Sequence, residues 1–167
     1  MKKILTLCLV VLTAVTTVKA QHEIGAIVGG LNGASYKYWF NNSMALQADL
    51  AVGMTQAATN GGSFGMWDLT LNPNFLYHFD VASGLKVYTG GGLNLGMASL
   101  LGGYYGYGYA IDGKFGINAN VGLAYEIPSV PLVLAFDFRP GYGMLFTNQY
   151  QGSIFDWKLA FAVRYRL

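Results

Sequence analysis

The stretch FDWKLAFAVRYRL, residues 155–167, sets two unlike faces against each other. Phe155, Trp157, Leu159, Phe161, Val163, Tyr165 and Leu167 alternate with Asp156, Lys158, Ala160, Ala162, Arg164 and Arg166. A strict period of two is the pattern of a β-strand whose faces meet different surroundings. The same alternation recurs upstream. Met44, Leu46, Ala48, Leu50, Val52 and Met54 oppose Ala45, Gln47, Asp49, Ala51 and Gly53. Ile117, Ala119, Val121, Leu123 and Tyr125 oppose Asn118, Asn120, Gly122, Ala124 and Glu126, and Leu132, Leu134, Phe136 and Phe138 oppose Val133, Ala135, Asp137 and Arg139.

Extended along the chain, this pattern predicts eight strands, near 22–30, 33–40, 44–54, 66–79, 85–98, 112–126, 131–144 and 154–167. Their connectors alternate in length. Residues 41–43, 80–84 and 127–130 are short, whereas 55–65, 99–111 and 145–153 are long, and only 31–33 breaks the scheme. Such alternation is that of an all-β, eight-stranded antiparallel up-and-down transmembrane barrel with its short turns on the periplasmic side. Two prolines interrupt the pattern. A bulge is expected near Asn72-Pro73-Asn74, because a closed barrel has no free edge to tolerate a missing donor, and a kink is expected at Pro140-Gly141.

Composition decides which face meets what. Of 167 residues, 53% are hydrophobic and only 11% charged, against about 25% charged in an average soluble domain. That excludes a disordered chain, and the lack of a Lys/Arg cluster excludes a nucleic-acid binder. Residues 1–20 read as a cleaved signal peptide: Lys2 and Lys3 precede an apolar run from Ile4 to Val15, and Val18-Lys19-Ala20 offers a cleavage site. The remaining segment, 21–167, reads as one barrel domain with no cysteine, seven Lys/Arg and eight Asp/Glu. Fifteen charges cannot coat a soluble barrel. Eleven of them share the small, polar face: Lys37, Asp49, Asp68, Lys86, Glu126, Asp137, Arg139, Asp156, Lys158, Arg164 and Arg166. The expected barrel is therefore inside out, with these charges forming a balanced lumen network and the aliphatic and aromatic face on lipid. A tight turn at 41–43 would set Ser35 opposite Asp49, with Lys37 diagonal to it. Lys114 is expected to contribute less than Lys37 or Arg139, and Trp39, Phe40, Tyr77, Phe79 and Tyr125 are assigned to the periplasmic aromatic girdle.

These features resemble the OmpA/OmpX-like outer-membrane β-barrel domain family of Gram-negative bacteria. The likeness rests on the signal segment, the eight amphipathic strands, Gly29-Gly30 with Tyr36-Lys37, the glycine-rich 88–92 strand and the ending Val163-Arg164-Tyr165-Arg166-Leu167. Ala162 and Leu167 stand where the family's assembly signal has a glycine and a terminal aromatic, while Tyr165 fits. The resemblance implies outer-membrane lipid and lipopolysaccharide as surroundings, and the barrel-assembly machinery and periplasmic chaperones as partners in biogenesis.

Chemical motifs are weak. Residues 108–114 resemble a phosphate loop, but Phe115 replaces the required hydroxyl residue and no helix follows. His22 and His78 lie too far apart in sequence for a metal-ligand motif, so no metal, cofactor or catalytic residue is assigned. An enzyme acting on lipid A could draw on His78 with Asp80 and Ser83, but the connector count puts that trio at the periplasmic rim. Tyr104, Tyr105, Tyr107 and Tyr109, in the longest outer connector, are candidate contacts for a surface ligand or part of the outer girdle. The expected function is a non-enzymatic integral outer-membrane barrel with a structural or surface-interaction role. A narrow pore for small solutes is the alternative, and a lipid A-modifying enzyme the third reading.

Overall fold

The computed structural model describes residues 22–59, 62–101, 112–146 and 151–167. The expected signal segment and the four loop tyrosines lie outside them. Eight strands follow one another: β1 (His22–Gly29), β2 (Leu31–Trp39), β3 (Met44–Thr59), β4 (Gly62–Ala82), β5 (Leu85–Leu101), β6 (Asp112–Glu126), β7 (Leu132–Phe146) and β8 (Gln151–Arg166). Each pairs antiparallel with the next, and β8 returns to β1, so the ring closes as a meander. Closure removes the free strand edges that an open sheet would expose.

The period-two faces take opposite environments. Ile117, Val121, Leu123, Phe136, Phe161 and Val163 are among the many exposed large hydrophobics, while Lys37, Asp49, Asp68, Asp137 and Arg164 are fully buried. A soluble protein buries the first kind and exposes the second. The fold is thus a closed barrel turned inside out.

The strands differ from expectation where the long connectors were placed. β3 and β4 run on to Thr59 and Gly62, so their ladder extends through most of the segment read as a loop over 55–65. β7 and β8 likewise extend into 145–153. No bulge forms at Pro73. The residue pairs with Ala48 of β3, and the β4–β5 ladder breaks only between Leu71↔Leu95 and Asn74↔Gly92, resuming in the same register. The missing donor costs ladder contacts on one side alone, and the shift in register lies instead between Asp80 and Ala82, beside the turn. Pro140 behaves alike: it pairs with Trp157 in unbroken register with β8, while the β6–β7 ladder skips from Asn118↔Gly141 to Val121↔Phe138.

The β1–β2 hairpin is far shorter than its neighbours. It turns at Gly29, whose φ of 115° suits only glycine, and Gly30, whose N–H donates to the Leu159 carbonyl at 2.7 Å. The Asn32 side chain closes the turn, donating to the Gly29 carbonyl (2.8 Å) and accepting from its N–H (3.2 Å). Beyond this tip β3 meets β8 directly, at Ala58↔Phe155. Gly29→Ala should therefore cost about 1–2 kcal/mol, read as a lowered midpoint when the refolded protein is unfolded in urea.

Candidate functional site: the charged lumen

The inward faces of the eight strands carry fourteen of the fifteen charged residues that follow residue 20, and only Asp80 stands exposed, at the short-turn rim. They form three groups along the barrel axis.

At the short-turn rim, Arg166 joins Glu23 (2.7 Å) to Glu126 (2.8 Å), and Lys86 adds to Glu126 at 3.1 Å. The indole N–H of Trp39 donates to Glu23 Oε1 at 2.8 Å. Three cations surround that indole: Lys86 at 4.9 Å from the ring centroid, Lys37 at 5.6 Å and Arg166 at 5.8 Å. Trp39 is thus a buried lumen residue, not a member of the aromatic girdle. Its parity with Lys37 places it there, while its residue type suggested lipid. Phe40, Tyr77, Phe79 and Tyr125 do face outward.

The middle group centres on Arg139, which donates from β7 to Asp49 Oδ2 on β3 at 2.6 Å and to Asp137 Oδ2 at 2.7 Å. Gln47 also donates to Asp49 (2.9 Å), and the Tyr88 hydroxyl donates to Asp137. Gly122 makes room for the Tyr88 ring, since a Cβ there would meet the Tyr88 hydroxyl oxygen at 2.5 Å. Ser35 pairs with Asp49 across the ladder, but Lys37 has no carboxylate within 4 Å among the described residues. Its ammonium lies 3.3 Å from His78 Nε2 and 4.9 Å from the Tyr88 ring centroid. Arg164 donates from Nε to Ser35 Oγ at 2.8 Å, and its two Nη atoms have no partner among the described residues. Asp49 Oδ1 and both polar side-chain atoms of Asn120 also have no partner among the described residues. Buried groups of this kind require water, so this middle compartment is where the lumen needs it most.

Toward the opposite end, Asn72, Asn74 and Asn118 link β4 to β6 through Asn118 Nδ2 and Asn74 Oδ1 at 2.5 Å. Above them Lys114 bridges Asp68 (2.5 Å) and Asp156 (2.7 Å), and Lys158 reaches Asp68 at 2.7 Å. Lys114 is therefore as deeply engaged as Arg139, contrary to the lesser weight expected of it. It sits four residues before Asn118 and so on the same face, the parity that would have placed it. Glu23 and Asp112 were passed over in the same way, and both are buried. Met66, Ala98, Leu145 and Ile154 form an apolar cluster at this end.

The trio considered for catalysis does not assemble. The His78 ring packs between Trp39 and Tyr88, at centroid distances of 4.3 and 4.8 Å, and faces Lys37. Asp80 instead lies against Lys86 at 3.6 Å. Among the described residues no group of three His, Cys, Asp or Glu could hold a metal ion.

No protein-family model and no curated protein matches the sequence. Solved structures do. Neisserial surface protein A is similar at a TM-score of 0.58 and 19% identity, over 89% of this chain and 94% of that one. The N-terminal β-barrel domain of Pseudomonas aeruginosa OprF is similar at 0.53 and 14%, over 89% and 96%. The outer membrane enzyme PagL aligns at 0.39 and 16% over 86% of this chain and 97% of its own, a likeness too low to speak to activity. The chain thus has the fold of the small eight-stranded outer-membrane barrels.

Removing one partner from a buried ion pair leaves a charge uncompensated, at about 3–5 kcal/mol. Lys114→Met and Arg139→Met should each lower stability on that scale in urea titrations. Asp80→Asn, at an exposed carboxylate 3.6 Å from Lys86, should stay within about 0.5 kcal/mol.

Proposed function

We propose that this protein is an integral outer-membrane barrel that neither conducts solutes nor catalyses a reaction, and that serves the envelope structurally or through contacts made by its outer connectors. The observation that carries the reading is the inversion: ion pairs and asparagines fill the inside, and large apolar side chains cover the outside. Two aromatic belts support it. Tyr36, Phe40, Tyr77, Phe79, Tyr125 and Tyr165 face outward near the short turns, and Trp67, Tyr142 and Trp157 face outward toward the other end. On β4, Tyr77 and Trp67 are ten residues apart. At about 3.3 Å per residue and a tilt near 40°, that spans about 25 Å, the height of an outer-membrane apolar band. The short turns then face the periplasm and the long connectors the exterior.

Eight strands leave an interior only wide enough for side chains to fill. Here it is filled by charges of both signs, whereas a selective pore presents a ring of one sign. The cations at the rim are already held by Glu23, Glu126 and Trp39. This argues against an open pathway, and the separation of His78 from Asp80 argues against lipid chemistry at that trio.

Refolded protein in planar bilayers should show no steady conductance, and steady ion-selective channels would restore the pore. Phe161→Arg or Leu134→Arg should cost about 2–4 kcal/mol near the bilayer midplane. If both variants unfold at the wild-type urea midpoint, these positions do not face lipid. Epitope tags within 99–111 should be detected on intact cells and tags within 80–84 should not; the reverse pattern would invert the orientation.

A further inference from the structure

The wall of the barrel has a low side. From Tyr36 of β2 the outward positions are Ala34 and then Asn32, after which the chain turns at Gly30. Four residues from Tyr36 to Asn32 rise only about 10 Å, and the turn itself about 15 Å, where β4 gives about 25 Å between its aromatic residues. On β1 the outward residues end with Val28. The tip is wedged between Leu159 of β8 and Gly53 of β3, and both strands continue past it to meet at Ala58↔Phe155. Exposed Met54 and Trp157 flank it on the outer surface.

An uncapped peptide turn in hydrocarbon is costly, because no water is there to satisfy it. Asn32 answers both polar groups of Gly29, yet its own amide remains on the exposed surface with more to bond. A short hydrophobic wall is matched at least cost by thinning of the adjacent lipid. We infer that the β1–β2 side thins the outer leaflet, so that the polar head region of an outer-leaflet lipid descends onto the tip at Gly29–Asn32, in the recess between Met54 and Trp157. The inference rests on the membrane-spanning reading proposed above. It adds a lipid-contact surface that the rest of the wall does not share.

Nitroxide labels test it, because Cys8 is the chain's sole cysteine and Cys8→Ser leaves a clean background. Val28→Cys and Asn32→Cys place labels four residues above Ile24 and Tyr36, which pair with each other; Val121→Cys places one four residues above Tyr125, on the far wall. In a bilayer of uniform thickness the three labels lie at comparable depth. Power saturation in phosphatidylcholine bilayers, with oxygen and a water-soluble nickel chelate, should show several-fold higher chelate accessibility at Val28 and Asn32 than at Val121. Lipids with shorter acyl chains should narrow the gap. Equal, oxygen-dominated accessibility at all three positions would overturn the thinning while leaving the barrel in the membrane. A Val121 label as open to the chelate as the other two would instead overturn the membrane-spanning reading. Because Val28 takes no part in closing the turn, its label decides the matter even if Asn32→Cys fails to fold.

Discussion

Arg139 ties β7 to β3 across the lumen, and the rest of the barrel depends on bonds of that kind. Between facing walls the buried apolar fill is modest: Ile27, Leu31, Leu76, Tyr88 and Val133 with five alanines. Strand number sets the width, and Arg–Asp and Lys–Asp bridges span it. Arg139 spans from Asp137 to Asp49, and Lys114 and Lys158 span from β6 and β8 to Asp68 on β4. Each bridge joins strands that are not ladder neighbours, so it fixes the cross-section where backbone hydrogen bonds fix only the circumference. The pairs compensate one another, because a charge left alone in this interior would cost more than the pair returns.

The two ends solve the problem differently. Toward the long connectors, two lysines meet two aspartates and an apolar cluster lies close by. Near the short turns, cations instead gather around one indole, and Lys37 rests on aromatic rings and an imidazole in place of a carboxylate. Aromatic faces hold cations without adding negative charge. That arrangement lets Arg164 and Lys37 lie on strands separated only by β1, with fewer acids per cation than the opposite end has.

How far the sequence could be read follows from what each signal depends on. Alternation is a property of the strand itself, so the eight strands and their faces were legible, down to the pairing of Ser35 with Asp49. Strand ends were not: polar, glycine-rich residues such as those of 55–65 look like loop, yet the β3–β4 ladder is long because the partner strand is long. Residue type misled at Trp39, where parity was the better guide. Lys114 is harder to weigh, because the clean alternation begins only at Ile117, three residues after it. The bulge expected at Pro73 assumed that every residue owes bonds to both neighbours. A strand residue directs its N–H to one side only, so a proline can keep register with β3 and break contact with β5 alone.

The short β1–β2 hairpin connects these observations. Above its tip the ring passes from eight strands to six, β3 through β8, joined by the Ala58↔Phe155 pair. Barrel diameter falls with strand number. A ring of six has less interior than the eight-stranded section beneath it. The Asp68–Lys158 bridge lies at this transition, where Gly30 and Gly53 beside the tip leave it room, and Met66, Ala98, Leu145 and Ile154 form the apolar cluster at that end. Shortening one hairpin therefore does two things at once. It lowers the wall on one side, and it lets β3 and β8 close on each other just beyond the Asp68–Lys158 bridge. A longer β1–β2 hairpin would restore the wall, and it would also part β3 from β8 where Ala58 and Phe155 now pair, returning that section of the ring to eight strands.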